Sequence, residues 1–234
     1  MHKLERNEVP KKLEKANIEY LNKIATNPNV DNTFNQTVGN ETRKSLIKMT
    51  GGYCAYCESY IEDGIPNIEH IIPKSKEPKL AYKYSNLVLV CPVCNLNKGD
   101  KYSEDFIDPT KEDPEKHIKF EGQHIFALDE KGRVTIEMLQ LDSEIKNKAR
   151  KEKLKEVRYI INDIIQDIQD LEDNKISKEV RKYILKNIQK KVLILEGKMQ
   201  HGSEYCTMVK HNCSKIVIYI KEIIKINEEK IKNK

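Results

Sequence analysis

Cys54-Ala55-Tyr56-Cys57, then Ile68-Glu69-His70-Ile71-Ile72-Pro73, then Asn86-Leu87-Val88-Leu89-Val90, then Cys91-Pro92-Val93-Cys94-Asn95-Leu96-Asn97-Lys98-Gly99: the reading of this run decides the fold. Each Cys-x-x-Cys pair can set two thiolates on one edge of a tetrahedron, so Cys54, Cys57, Cys91 and Cys94 together predict a Zn²⁺ site. Four thiolates close that site to water and substrate, which makes the metal structural and its binding free energy part of the folding free energy. Two such pairs would suit a plain interaction module as well as an enzyme. The spacer between them is longer than in a simple zinc ribbon and holds a Glu-His doublet and an Asn-led apolar run, which favours an enzyme.

On the N-terminal side, Val9, Leu13, Ile18, Leu21 and Ile24 recur at roughly helical spacing and stop at Asn27-Pro28-Asn29. Asn40-Glu41 followed by Leu46, Ile47 and Met49 predicts a short capped helix ending at Gly51-Gly52. On the C-terminal side, Asp108-Pro109-Thr110-Lys111-Glu112-Asp113-Pro114 has the composition of an exposed loop. His124 to Leu128 and Val134-Thr135-Ile136 flank Asp129-Glu130-Lys131-Gly132, a pattern that predicts a β-hairpin. After about Ser143 the chain turns helical, with one apolar stripe through Ile161, Ile164, Ile165, Ile168 and Leu171. A second runs through Val180, Tyr183, Ile184, Ile188 and Val192, and a third through Ile216, Ile220, Ile223 and Ile224. The expected organisation is a helical segment over residues 1–50, a four-cysteine core with a hairpin extension over 51–142, and a helical region over 143–234.

Composition sets the outer bounds. In 234 residues, 38% are hydrophobic, enough for a compact core with a helical appendage. A net charge of +5 favours approach to a polyanion without naming one, and much of the lysine excess reads as solvated surface. No apolar run is long enough to cross a bilayer and the start, MHKLERNEVPKK, lacks the apolar stretch of a secretory signal, so a cytoplasmic protein is expected. In that reducing setting paired cysteines are metal ligands more readily than disulfides.

In order and spacing, these elements resemble the Cys₄ branch of the HNH, or ββα-metal, nucleases. The resemblance implies an α+β fold in which a zinc-braced, treble-clef-like ββα-metal module is surrounded by helices, with a C-terminal helical region. It also implies that Glu69, His70 and Asn95 form a catalytic centre that hydrolyses DNA. Glu69 and Asn95 offer hard oxygen ligands, suited to Mg²⁺ or Mn²⁺. His70, with an intrinsic pKa near neutrality, suits the removal of a proton from the attacking water. Asn86 matches the middle Asn of the motif and is expected to fix the loop and orient His70. Lys98, one turn after Asn95, is a candidate to face the same phosphate, although a solvated lysine is about as good a reading.

A closer resemblance covers about residues 1 to 150, carried by Arg6-x-x-x-Pro10, Gly52 to Cys57, Ile68-Glu69-His70 and Thr135-Ile136-x-x-Leu139-x-Leu141 before Arg150. These look like the HNH subunit of Septu-type anti-phage systems, also found in some retron systems. That likeness implies control by an SMC- or ABC-like ATPase partner of the PtuA kind, docked by the helical tail, with no membrane involved. A stand-alone restriction-like endonuclease and a non-cutting zinc module that binds nucleic acid or protein are the alternatives, and RNA stays open as a substrate. His201, Cys206, His211 and Cys213 fit no strong metal template and read as packing residues. The basic run Lys148, Arg150, Lys151, Lys153, Lys155 and Arg158 reads first as a charged helix face. Nothing specifies a role for His117 or His124.

Overall fold

A computed structural model describes residues 1–61, 66–173 and 175–232 of the chain, and Lys232 by its backbone alone. It divides into two compact units: residues 1–119, 125–143 and 201–204 form the first, and 120–124, 144–200 and 205–234 the second. The class is α+β, mostly helical with two small sheets.

In the first unit, α1 (Lys11–Ile24) starts after Pro10, whose fixed φ suits a helix entry, and buries Leu13 and Tyr20. Helix α2 (Gln36–Thr50) starts at Asn35, whose side chain accepts the Val38 N–H at 2.9 Å. The start therefore lies upstream of the Asn40 expected from sequence. Asn40 sits in the second turn, where its side chain serves Arg43 instead. Gly51 ends α2 as predicted, in the left-handed region at φ 67°, where a side chain would also press on Gly202. Val38, Leu46 and Met49 are buried along α2, which packs against the central sheet.

That sheet has two four-residue strands, β1 (Asn67–His70) and β2 (Leu87–Val90), antiparallel with Glu69 opposite Val88 and His70 opposite Leu87. A pair this short is not stable alone. It is held because all four β2 residues are fully buried and because α3 (Pro92–Lys98) packs on β1. Proline at the first turn of α3 gives up no hydrogen bond, and Cys91 caps the helix as its Sγ accepts the Cys94 N–H at 3.4 Å. The order β1, loop, β2, α3 is the expected ββα module.

The predicted hairpin around Asp129 to Gly132 is absent. Strand β4 (His124–Ala127) pairs with the preceding β3 (Ile118–Glu121), and Val134-Thr135-Ile136 lie in a helix, α4 (Glu130–Leu139). Asp129 acts as an N-cap, accepting the Gly132 N–H at 2.9 Å. Gly132 is needed for close packing rather than for a turn, since a Cβ there would lie 2.0 Å from the His117 carbonyl oxygen.

The second unit contains α5 (Glu144–Glu172), α6 (Lys178–Lys198) and α7 (Cys206–Lys232), with α6 packed on both others. Its buried faces carry Val157, Ile164 and Leu171; Leu185, Ile188, Val192 and Leu195; and Val217, Ile220 and Ile224. The α6 stripe is rotated from the expected one: Val180 and Tyr183 are exposed, and Leu185 and Leu195 take their place. Periodicity alone cannot distinguish these faces when apolar residues surround much of the helix. Among the described residues, no helix is long and apolar enough to cross a membrane.

Candidate active site and metal centre

Cys54, Cys57, Cys91 and Cys94 converge, their sulfurs all within 4.8 Å of one another. The Cys57 and Cys91 sulfurs are 3.7 Å apart, close to the edge of a tetrahedron built on zinc–sulfur bonds of about 2.3 Å. None of the four is in a disulfide. Hydrogen bonds from neighbouring thiols lower Cys57 to about 7 and Cys91 well below the thiol range, while burial pushes Cys54 up, so the four sulfurs compete for protons. A divalent cation at the centre resolves that competition by stabilising every thiolate at once. The donor set therefore fits the structural zinc read from the sequence.

The two cysteine pairs tie the start of the module to the entry of α3, and the candidate site residues lie between and just after them. His70, the last residue of β1, holds its Nε2 2.9 Å from the Ala81 carbonyl oxygen. A carbonyl can only accept, so Nε2 carries the proton and a neutral His70 keeps a lone pair on Nδ1. Burial lowers the His70 pKa, opposed by the Ala81 bond and reinforced by Lys74 and Lys98, so the neutral form prevails near pH 7. The Phe34 ring stacks beside the imidazole, with centroids 6.1 Å apart and planes 25° apart.

Asn86 is buried and locks the intervening loop from one point. Its Oδ1 accepts the Ile72 N–H at 2.9 Å while its amide donates to the Ile72 and Leu80 carbonyls. The expectation that Asn86 fixes the loop describes this geometry, but the group that orients His70 is the Ala81 carbonyl. Asn95 projects from α3 into the same cavity as Glu69 and His70, and its side chain has no protein hydrogen-bond partner among the described residues. An unpartnered amide facing Glu69 is free to serve as an oxygen ligand.

Lys98 differs from both sequence readings. It is neither solvated nor free to face a phosphate: its side chain is 0% exposed, and its ammonium lies 2.8 Å from Glu69 Oε1 and 2.7 Å from the His70 carbonyl. Burial raises the Glu69 pKa, and Lys98 is the main group opposing that rise. The lysine thus opposes protonation of the Glu69 carboxylate and ties α3 to the end of β1. Lys98→Met keeps the length of the chain but strands a buried carboxylate and a buried carbonyl, so it is expected to cost about 3–5 kcal/mol. Thermal denaturation of the zinc-loaded protein checks this; a melting temperature within about 2 °C of wild type would refute the role, given roughly 2–4 °C per kcal/mol at this size.

Arg6, noted from the sequence only as part of an N-terminal element, donates to the carbonyls of Tyr84, Ser85 and Leu87 and to Thr110. It thereby pins the turn that leads into β2. The cavity itself, about 590 Å³, has a second wall from residues 32–43 that no sequence motif marked.

An HNH endonuclease family model matches residues 54–101, the span of both zinc knuckles, both central strands and α3. Over residues 54–101 the chain is similar to the HNH endonucleases. The chain is 34% identical over 102 residues to the Septu protein PtuB of Bacillus thuringiensis, which covers 42% of this chain and 40% of that protein. It is 27% identical over 179 residues to the retron Vc95 putative HNH endonuclease of Vibrio cholerae, covering 65% and 82%. With the Septu protein PtuB of Bacillus mycoides it shares 25% over 228 residues, covering 79% and 77%. The first alignment thus spans less than half of the relative's length, while the other two extend well beyond the HNH module.

The remaining sequence candidates take structural parts. Arg150 is 1% exposed, with its guanidinium on the Gln123 carbonyl and over the Phe120 ring, so it leaves the basic face expected of its run. His117 bridges Glu112 and Asp129, the cap of α4. His211 accepts the Phe120 N–H, and His201 contacts His2.

Proposed function

We propose that this protein is a metal-dependent endonuclease that hydrolyses DNA phosphodiester bonds, acting as the nuclease of a Septu-like anti-phage complex under the control of an ATPase partner. The observation that carries the reading is the convergence of three groups on one cavity. These are His70 with its Nδ1 unpartnered among the described residues, a Glu69 ion-paired with Lys98, and an Asn95 side chain likewise unpartnered among them. His70 Nδ1 accepts the proton of the attacking water, and the Ala81 carbonyl holds the ring through Nε2 and stabilises the imidazolium that results. Glu69 and Asn95 would hold one Mg²⁺ or Mn²⁺. When bound, the ion supplies positive charge against the phosphate and leaving oxygens. Phe34 covers one side of the imidazole and limits its rotation.

The partner reading rests on the chain's similarity to the two Septu relatives and on a helical unit that carries none of the site residues. Helices after Ser143 would dock the ATPase. Co-purification with the partner after deletion of residues 160–234 would exclude them.

The deciding experiment incubates zinc-loaded protein, alone and with its ATPase partner and ATP, with plasmid, linear DNA and RNA in Mg²⁺, in Mn²⁺ and in EDTA. DNA cleavage that needs the divalent ion is the expected result, with the ATPase partner changing its rate. Cleavage of RNA alone would reassign the substrate. No cleavage under any condition, by protein with intact zinc, would overturn the nuclease reading.

A further inference from the structure

The cavity beside His70 is built from two sides. The ββα module supplies Glu69, His70, Lys74, Asn95 and Asp100, and the segment 32–43 supplies Arg43 from the second turn of α2. The charges in it are unequal in availability. Glu69 is already matched by Lys98 at 2.8 Å. Arg43 is fixed by neutral groups: its Nε donates to the Pro66 carbonyl at 3.1 Å and its Nη1 to Asn40 Oδ1 at 3.2 Å. Among the described residues no carboxylate forms an ion pair with Arg43 or with Lys74. Both side chains are part-buried, so water screens them less than surface lysines. Holding a guanidinium through two neutral acceptors leaves its charge and its remaining N–H groups for an external anion.

We propose that Arg43 and Lys74 form a phosphate clamp, each binding a backbone phosphate next to the one cut beside His70. The inference rests on the nuclease reading and deepens it: the second wall of the cleft, outside the HNH module, takes part in gripping the strand. Arg43 presents a planar fork suited to two phosphate oxygens, and Lys74 a point charge on the other lip. Asp100, exposed in the same cavity, is the one lining carboxylate without a buried partner cation, and it restrains the positive field to the two lips.

The test measures binding of a fluorescein-labelled DNA oligonucleotide, duplex and single-stranded, to zinc-loaded full-length protein carrying His70→Ala, across a salt series in Mg²⁺. Adding Arg43→Gln is expected to raise Kd about tenfold and to reduce the log Kd against log salt slope by about 0.9 on duplex or about 0.7 on single strand. Arg43→Lys should restore the slope but not the full affinity, because the charge returns without the fork. Lys74→Gln should reduce the slope by a similar amount, and since its ammonium makes no hydrogen bond or ion pair among the described residues, only a longer-range attraction to Asp31, it serves if Arg43→Gln fails to load zinc. Lys15→Gln, an exposed charge change on α1, is the control for net charge and should shift the slope less. Slopes unchanged in both Arg43→Gln and Lys74→Gln would overturn the clamp and leave the nuclease reading standing. Failure of the parent to bind any oligonucleotide would overturn both.

Discussion

Alanine at position 70 is expected to lower the rate of DNA cleavage by about 10²–10⁴-fold, the range of a general base, with zinc content unchanged. The size follows from what the side chain alone supplies. Among the described residues lining the cavity, the imidazole is a base with a lowered pKa, oriented by a fixed acceptor and with its Nδ1 lone pair unpartnered. Glu69 is a poor substitute, because Lys98 occupies one of its oxygens and the proposed divalent ion would take the other, and a side-chain amide such as Asn95 is far too weak a base. The loss should therefore fall on kcat, with KM little changed, since His70 has no part in holding the strand. Steady-state cleavage of a labelled oligonucleotide, with the loaded partner if required, measures both constants. A variant keeping more than about a tenth of wild-type kcat would show that another base operates.

Loss of the zinc site should have a still larger effect on folding. Structural zinc contributes about 10–16 kcal/mol in small domains at neutral pH, comparable with or above the roughly 5–15 kcal/mol by which a whole domain is stable. Two four-residue strands and a seven-residue helix depend on it here, and none of them is long enough to persist alone. Cys91→Ser, or stripping with a strong chelator, is expected to abolish fixed structure in the first unit. The second unit has its own buried stripes on α5, α6 and α7 and should keep most of its helix signal. Amide NMR of the stripped protein separates the two: loss of dispersed resonances from the Cys54–Lys98 region with retention of the helical set is the expected pattern. Dispersed resonances from β1 and β2 without metal would sink the structural role.

The ββα module was legible because its signals are local and short in range. A Cys-x-x-Cys pair makes its knuckle within four residues, Pro92 follows Cys91 at a helix entry, and a continuous Leu87-Val88-Leu89-Val90 run suits a strand buried on both faces. The errors arose where a local pattern has two outcomes. Asp129-Glu130-Lys131-Gly132 serves a hairpin turn or a helix cap, and the close approach of the His117 carbonyl to Gly132, a contact fifteen residues apart in sequence, accompanies the cap. Asn40 and Asn35 both qualify as caps by type, and only the hydrogen bond to Val38 distinguishes them.

By itself the sequence determined the four-cysteine cluster, the strand order of the module and the position of the Glu-His doublet, because spacing between chemically rare residues constrains those directly. The tertiary structure decided which charges are available. It buried Lys98 against Glu69, left Arg43 and Lys74 without a carboxylate ion pair among the described residues, and set the Ala81 carbonyl rather than Asn86 against His70. Those outcomes depend on which groups meet across distances of tens of residues and on which of them lose water, and desolvation is a property of the packed fold rather than of any residue or its neighbours in the chain.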